Sequence, residues 1–242
     1  MPSTAIGEFV GTALLILLGN GVVAGVLLEE SKAKGGGWIV ITTGWAMAVM
    51  LAVLVAVALG APGELNPAIT FANVLLGSRT VPDALVHLVA QFAGAVVGAT
   101  LVWLHYYRHW GLTRDAAAIC ACFCNTAAIR GAGSNIISEV IGTAVLVLVA
   151  NAIGARGAAG DTPATNLGPA LVGALVWGIG LSLGGPTGYA INPARDLGPR
   201  IAHALLPIAN KGTSDWGYSW IPVVGPMIGA AVAALIWHTV SP

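Results

Sequence analysis

From Ala5 to Leu28 the chain runs through an apolar stretch interrupted only by Glu8 and Asn20, and stretches of this kind recur along its whole length. Five more cover Trp38 to Gly60, Ala84 to Trp103, Asn135 to Ala152, Pro169 to Leu183 and Trp220 to Val240. A helix needs about 20 mainly apolar residues to cross the roughly 30 Å hydrocarbon core of a bilayer. Lipid offers no partner for a backbone N–H or C=O, so a chain built of such runs is restricted to helices that satisfy their own backbone. Charged residues make up only 8% of the 242, ten basic and ten acidic, against about 25% in a soluble domain. That excludes a water-covered surface, and it excludes nucleic-acid binding through a basic face. The first run is too long for the core of a signal peptide and has no Lys or Arg before it, so it reads as a retained span.

Two apolar pieces are left over, Pro67 to Leu76 and Pro193 to Leu206. Both are too short to cross. Each opens with Pro directly after Asn, the order expected where a side chain caps a helix and Pro takes its first turn. They read as half-helices entering from one side, which is tolerated only where their broken ends are buried or line a cavity. The pieces also belong to a repeat. Glu8-Phe9-Val10-Gly11-Thr12 recurs as Glu139-Val140-Ile141-Gly142-Thr143, Asn66-Pro67-Ala68 as Asn192-Pro193-Ala194, and Gly94 and Gly98 as Gly225 and Gly229. Glu to Asn spans 58 positions in the first copy and 53 in the second. Three spans per copy is odd, so the second copy enters the bilayer upside down and the two interrupted helices meet near the midplane.

These residues, with Gly188-Tyr189-Ala190-Ile191-Asn192-Pro193-Ala194-Arg195-Asp196, resemble the aquaporin and glycerol-facilitator (major intrinsic protein) family over essentially the whole chain. The resemblance implies an all-α membrane protein of six transmembrane helices plus two re-entrant half-helices, with one pore per protomer and a homotetramer in the plasma membrane. Both termini would be cytoplasmic. The expected division is a first repeat over 1–108, a linking loop over 109–133 and a second repeat over 134–242. The arginines vote the other way. Arg108, Arg114 and Arg130 lie in the Leu104 to Ser134 loop, against Arg79 and Arg156 on the opposite side, and the positive-inside rule would put that loop in the cytoplasm. The resemblance puts it outside.

In the pore reading, Asn66 and Asn192 donate to a passing solute and the two positive helix ends repel cations; as a simple alternative, each Asn only caps its helix. Arg195, a charge inside an apolar segment, is a functional candidate by its cost alone. By resemblance it is the cationic member of the narrowest constriction, and the glycerol-conducting branch surrounds it with a Trp, an aromatic and a Gly. The matching positions are Trp45, Tyr189 and Gly180, with Gly180 leaving width. An ungapped match would instead place Ala46 at the wall, giving a wider hole. Asp196 also fits that branch, or it pairs locally with Arg200.

Glu8 and Glu139 are expected to accept from the non-helical backbone of the two loops. Glu64 departs from the family, which has His two residues before the first Asn. Two carboxyls sharing a proton, Glu64 with Glu8, would make conductance respond to mildly acidic pH; a solvated carboxylate at the pore mouth is the alternative. Cys120, Cys122 and Cys124 have no ordinary zinc spacing and read as packing residues, with soft-metal binding the other option and thiol-reagent block an expected consequence of their vestibule position. No cofactor, metal or catalytic motif is expected. The reading is a passive channel for glycerol, other small uncharged solutes and water. The rivals are a predominantly water-selective channel, which Gly180 disfavours, and a proton-coupled carrier using Glu8, Glu64 and Glu139.

Overall fold

The computed structural model describes residues 2–155 and 167–241; Arg156, one of the arginines weighed above, lies outside the described residues. The described residues hold ten helices and no strand. The first half runs α1 (Pro2–Leu27), α2 (Gly37–Ala58), α3 (Pro67–Leu75) and α4 (Val81–His105). Two short helices follow, α5 (Tyr107–Trp110) and α6 (Ala116–Ala121), in the segment read from sequence as a plain loop. Asp115 starts α6 by accepting the Ala117 and Ala118 N–H groups. The second half is α7 (Ala132–Gly154), α8 (Gly168–Leu183), α9 (Pro193–Leu205) and α10 (Ile221–Val240).

Five of these are long and apolar enough to cross a bilayer, namely α1, α2, α4, α7 and α10. The sixth expected span is α8, which has 16 residues and a length of about 24 Å at 1.5 Å per residue. Span edges moved where a cap was overlooked: α4 begins at Val81 because the Thr80 hydroxyl accepts from the Asp83 N–H and Pro82 suits the first turn. The half-helices α3 and α9, of 9 and 13 residues, start at Asn66 and Asn192.

Packing repeats between the halves. α1 lies against α2 and α4, α7 against α8 and α10, and α2 against α8 across the join. Each half-helix is held by the other half, α3 by α10 and α9 by α4. The glycines of the repeat set the closeness of these pairs. A Cβ on Gly94 would stand 2.3 Å from the Phe9 carbonyl oxygen, and one on Gly98 2.4 Å from that of Ala13. In the second half a Cβ on Gly229 would stand 2.5 Å from the Val140 oxygen, and one on Gly225 2.6 Å from the Glu139 Cβ. Helices in lipid gain nothing by burying apolar surface against each other, so backbone approach through small residues is what binds them.

The large apolar side chains that remain exposed, such as Leu54, Val89, Ile137 and Leu235, sit on long helices and suit a lipid environment. Gly94→Ala is expected to cost about 1–3 kcal/mol through overpacking, read as a lowered thermal midpoint in detergent. Gly178→Ala, where nothing lies within 4 Å of the added carbon, is the control. Equal midpoints for the two variants would mean that the α1–α4 contact is not limited by Gly94.

Candidate functional site

Both half-helices begin in the interior, and two buried carboxylates shape the chain just before them. Glu8 accepts the N–H groups of Glu64 (2.9 Å) and Leu65 (2.7 Å). Glu139 accepts those of Ala190 (3.0 Å) and Ile191 (2.8 Å). In each half these are the two residues preceding the Asn. Leu65 and Ile191 are held at φ 50° and 43°, and Tyr189 at 41°, a left-handed backbone that costs a non-glycine residue about 1–3 kcal/mol. The carboxylate clamps hold the strained turn in place.

The Asn side chains then tie the halves together. Asn66 Oδ1 accepts from Ala68 N–H, and its Nδ2 donates to the Ile191 carbonyl at 2.8 Å. Asn192 Oδ1 accepts from the Ala194 and Arg195 N–H groups, and its Nδ2 donates to the Leu65 carbonyl at 2.9 Å. Each Asn therefore caps its own helix and also grips the carbonyl just before the opposite Asn. The cap reading holds for both Asn residues, while each amide Nδ2 is engaged by the carbonyl of the opposite loop.

Three cavities follow one another through this centre. One of about 340 Å³ lies at the end of α6 and the segment after it and is lined by Trp38, Ile41, Cys124, Asn125 and Gly188 among others. A central one of about 140 Å³ has an apolar wall of Leu15, Val49, Val53, Leu146, Val172 and Val176, and a polar wall that includes Asn66, Asn192 and Arg195. A third of about 170 Å³ is bounded by Pro62, Asn73 and Asn151. The first two share three lining residues, Trp45, Tyr189 and Arg195. The second and third share Gly63, Glu64, Ile69 and Ala150.

At the Trp45–Tyr189–Arg195 junction the guanidinium lies over the Trp45 ring, 4.2 Å from its centroid, a cation–π contact that holds the charge in place. Arg195 Nη1 and the Tyr189 hydroxyl are buried with no hydrogen-bond partner. Trp45, not Ala46, lines the cavities, and the backbone oxygen of Ala46 lies 2.9 Å from where a Cβ on Gly173 would stand.

Gly180 has a different effect from the expected one. A Cβ there would stand 2.8 Å from Tyr189 Cζ, so the missing side chain is filled by the tyrosine ring and is not left as open width. Three residues that sequence reasoning missed complete the arrangement. Trp38 Nε1 donates to the Gly180 carbonyl at 3.0 Å, and its ring meets Tyr189 edge-on at 5.8 Å. Gly19 makes room for the Trp45 ring, which would lie 2.2 Å from a Cβ. Asn125 Nδ2 donates to the Thr187 and Gly188 carbonyls, and its own N–H donates to Asp196. None has a local sequence signal, because each acts on a partner in another element, more than 60 positions away for Trp38 and Asn125.

Asp196 pairs with Arg200 at 2.8 Å, and Arg200 also donates to the carbonyls of Asn125, Ser214 and Asp215. The pair fastens α9 to the segment at Asn125, which lines the first cavity, and to the segment at Ser214 and Asp215. The shared proton between Glu64 and Glu8 is replaced by separate partners. Carboxylate oxygens of the two lie within 4.8 Å of each other, but Glu64 accepts from Thr70, Asn73 and Arg79 and meets His87 Nδ1 at 3.0 Å. Glu8 takes Gln91 Nε2 besides its two backbone groups. Each carboxylate thus has its own set of donors, with a cation beside Glu64. Glu64 is also not a solvated carboxylate, its side chain being 3% exposed.

This geometry, two capped half-helices gripping each other beside a chain of cavities, can be set beside known proteins. The family model described as Major intrinsic protein matches residues 2–237. The chain belongs to the major intrinsic protein family. Among its relatives, the glycerol uptake facilitator protein of Streptococcus pneumoniae strain R6 is 53% identical over 98% of this chain and 99% of the relative. Glycerol uptake facilitator protein 3 of Lactiplantibacillus plantarum is 52% identical over 96% of this chain and 95% of the relative. The D/L-lactic acid transporter of the same organism is 40% identical over 96% and 95%. The X-ray structure of the aquaglyceroporin from Plasmodium falciparum superposes with a TM-score of 0.85 at 28% identity, covering 99% of this chain and 96% of that one. As in the rest of the major intrinsic protein family, the chain is an integral, multi-pass membrane protein.

Replacing Glu8 or Glu139 by Gln puts an amide NH₂ against a backbone donor and is expected to cost about 1–3 kcal/mol each. Glu64→Gln leaves the Arg79 guanidinium uncompensated and is expected to cost about 3–5 kcal/mol. Thermal unfolding in detergent ranks the three; Glu64→Gln unfolding with the parent would remove Glu64 from the framework.

Proposed function

We propose that this chain is a passive channel through which glycerol, similar small uncharged solutes and water move down their gradients, with protons and ions excluded. The observation that carries the proposal is the junction at Trp45, Tyr189 and Arg195, where aromatic surface and unpartnered buried donors stand together at the passage between two cavities. A polyol has a CH edge and a hydroxyl edge. In this reading Trp45 and Tyr189 pack the first and Arg195 receives the second, with Gly180 positioning the Tyr189 ring. Beyond them the apolar wall of the central cavity and the two Asn amides continue the same division. Relatives of about 50% identity bear the name glycerol uptake facilitator, which supports glycerol as substrate.

Ion exclusion rests on α3 and α9. Their N-terminal ends converge at the crosswise Asn contacts, and two positive helix ends aimed at one point oppose a cation. A proton-coupled carrier would need Glu8, Glu64 or Glu139 free to exchange protons, and each is occupied by structural donors. In the same reading the chain is a channel with no catalytic step, organised as repeats 1–108 and 134–242 around a 109–133 link. It sits in the plasma membrane as a homotetramer, with termini cytoplasmic and the α5–α6 face outside.

Stopped-flow light scattering of proteoliposomes carrying an internal pH dye tests this. Rapid glycerol entry and water flux with no dye response is the expected result. Water flux without glycerol entry would favour a water-selective channel, and acidification coupled to solute a carrier. Gly180→Ala, by pushing Tyr189 into the passage, is expected to lower glycerol flux about tenfold, equivalent to roughly 1.4 kcal/mol on the barrier, and to slow water less. Equal slowing of both would place the discrimination elsewhere.

A further inference from the structure

Behind the wall of the first cavity lies a cluster that the channel reading does not use. Cys120 at the end of α6, Cys124 just beyond it and His203 on α9 bring one thiol, a second thiol and an imidazole nitrogen within 4.8 Å of one another. Cys120 is 6% exposed, Cys124 2% and His203 0%, and all three cysteines are free thiols. Cys122 is turned away, its Sγ hydrogen-bonded to the Ala118 carbonyl. Sequence spacing alone could not reveal this set, because the imidazole comes from a helix that starts about 70 residues later.

Two observations beyond proximity point to a ligand. His203 Nε2 is fully buried with no partner, while Nδ1 faces Ser214 Oγ at 2.8 Å. With the proton on Nδ1 donated to Ser214, the Nε2 lone pair is free, which is the outer-partner arrangement of a metal-bound histidine. Buried polar atoms are otherwise paired in nearly every case. The two sulfurs are the second: neither is held in a disulfide, and sulfur is the donor that a soft metal prefers.

We propose that Cys120, Cys124 and His203 form a binding site for a soft monovalent d¹⁰ cation of the Cu(I) class, reached from the first cavity through Cys124. Two sulfurs each about 2.3 Å from a common ion stand at most about 4.6 Å apart, so the observed spread closes with small side-chain rotations. Structural zinc sites call for four ligands, and the cluster supplies three, whereas thiolate sulfur selects Cu(I) among the common ions. Binding displaces two protons, one from each thiol, and no oxidation or reduction occurs. The product, one positive ion with two thiolates, carries a net negative charge. The cations facing this charge are Arg200, already paired with Asp196, and Arg195 near Cys124; Asp196 and Asp215 are the anions that oppose it.

The site bears on the channel through one residue. Cys124 lines the first cavity and precedes Asn125, which holds the Thr187 and Gly188 carbonyls next to Tyr189. An ion that draws Cys124 toward His203 pulls on the loop that places the ring, so solute flux should fall when the site is filled.

The test is titration of reduced, detergent-purified protein with Cu(I) against a chromophoric Cu(I) chelator. The parent and Cys122→Ser are expected to hold one equivalent per chain. Ser214→Ala should weaken binding roughly 10- to 100-fold as an outer partner does, and Cys120→Ser, Cys124→Ser and His203→Gln by more. X-ray absorption of the copper-loaded parent, which needs no variant to fold, should show two sulfurs and one nitrogen around the ion. A shell without sulfur, one equivalent retained by folded Cys124→Ser, no competition with the chelator, or equal competition by Zn(II) would each overturn the assignment. Proteoliposome flux with and without Cu(I) reads the coupling separately; unchanged flux in protein shown to be loaded would overturn the link to Tyr189 and leave the site standing.

Discussion

Two helices stop in the middle of the molecule, and each exposes backbone N–H groups where lipid-depth surroundings offer no water to satisfy them. The rest of the structure answers that constraint. Asn66 and Asn192 cap the ends and cross over to the opposite strand of loop, Glu8 and Glu139 take the two N–H groups before each Asn, and the loops accept left-handed φ at Leu65 and Ile191 as the cost of that arrangement. With these groups paired, two of the buried atoms left without a partner, Arg195 Nη1 and the Tyr189 hydroxyl, belong to residues that line the passage.

The few ionisable groups inside the bundle divide by whether their partners are complete. Glu64 is enclosed by Arg79, His87, Asn73 and Thr70, and Asp196 by Arg200 and the Asn125 N–H. Such groups act as fasteners, since breaking a buried pair costs far more than the pair contributes. Arg195 is held by a ring face and keeps a donor free. The same low dielectric makes the first set rigid and the second available to a solute.

Much of this was legible in the chain because it rests on repetition. The Glu-x-x-Gly-Thr segments and the Asn-Pro-Ala boxes each name a contact that the fold makes twice; the glycine match is off by one turn, since Gly229 and not Gly225 meets Val140 as Gly94 meets Phe9. What was misread involved a single side chain's neighbours. Gly180 reads as space from its lack of a side chain, yet the Tyr189 ring takes that space. Glu64 reads as a proton-sharing partner for Glu8 because Glu8 is expected to bind the loop that holds it, yet Arg79 and His87, from the turn before α4 and from α4 itself, pair with its carboxylate.

The sequence by itself determined the helical class, the number of crossings, the inverted repeat and the two broken helices, because hydrocarbon thickness and backbone hydrogen bonding leave an apolar chain few alternatives. It also marked the residues that open each half-helix. The tertiary structure alone decided that Trp45 and not Ala46 lines the passage, that Trp38, Gly19 and Asn125 set the positions of the rings, and that His203 meets Cys120 and Cys124. Those contacts join residues far apart in the chain, and which distant side chains meet depends on how helices pack, which no local pattern encodes.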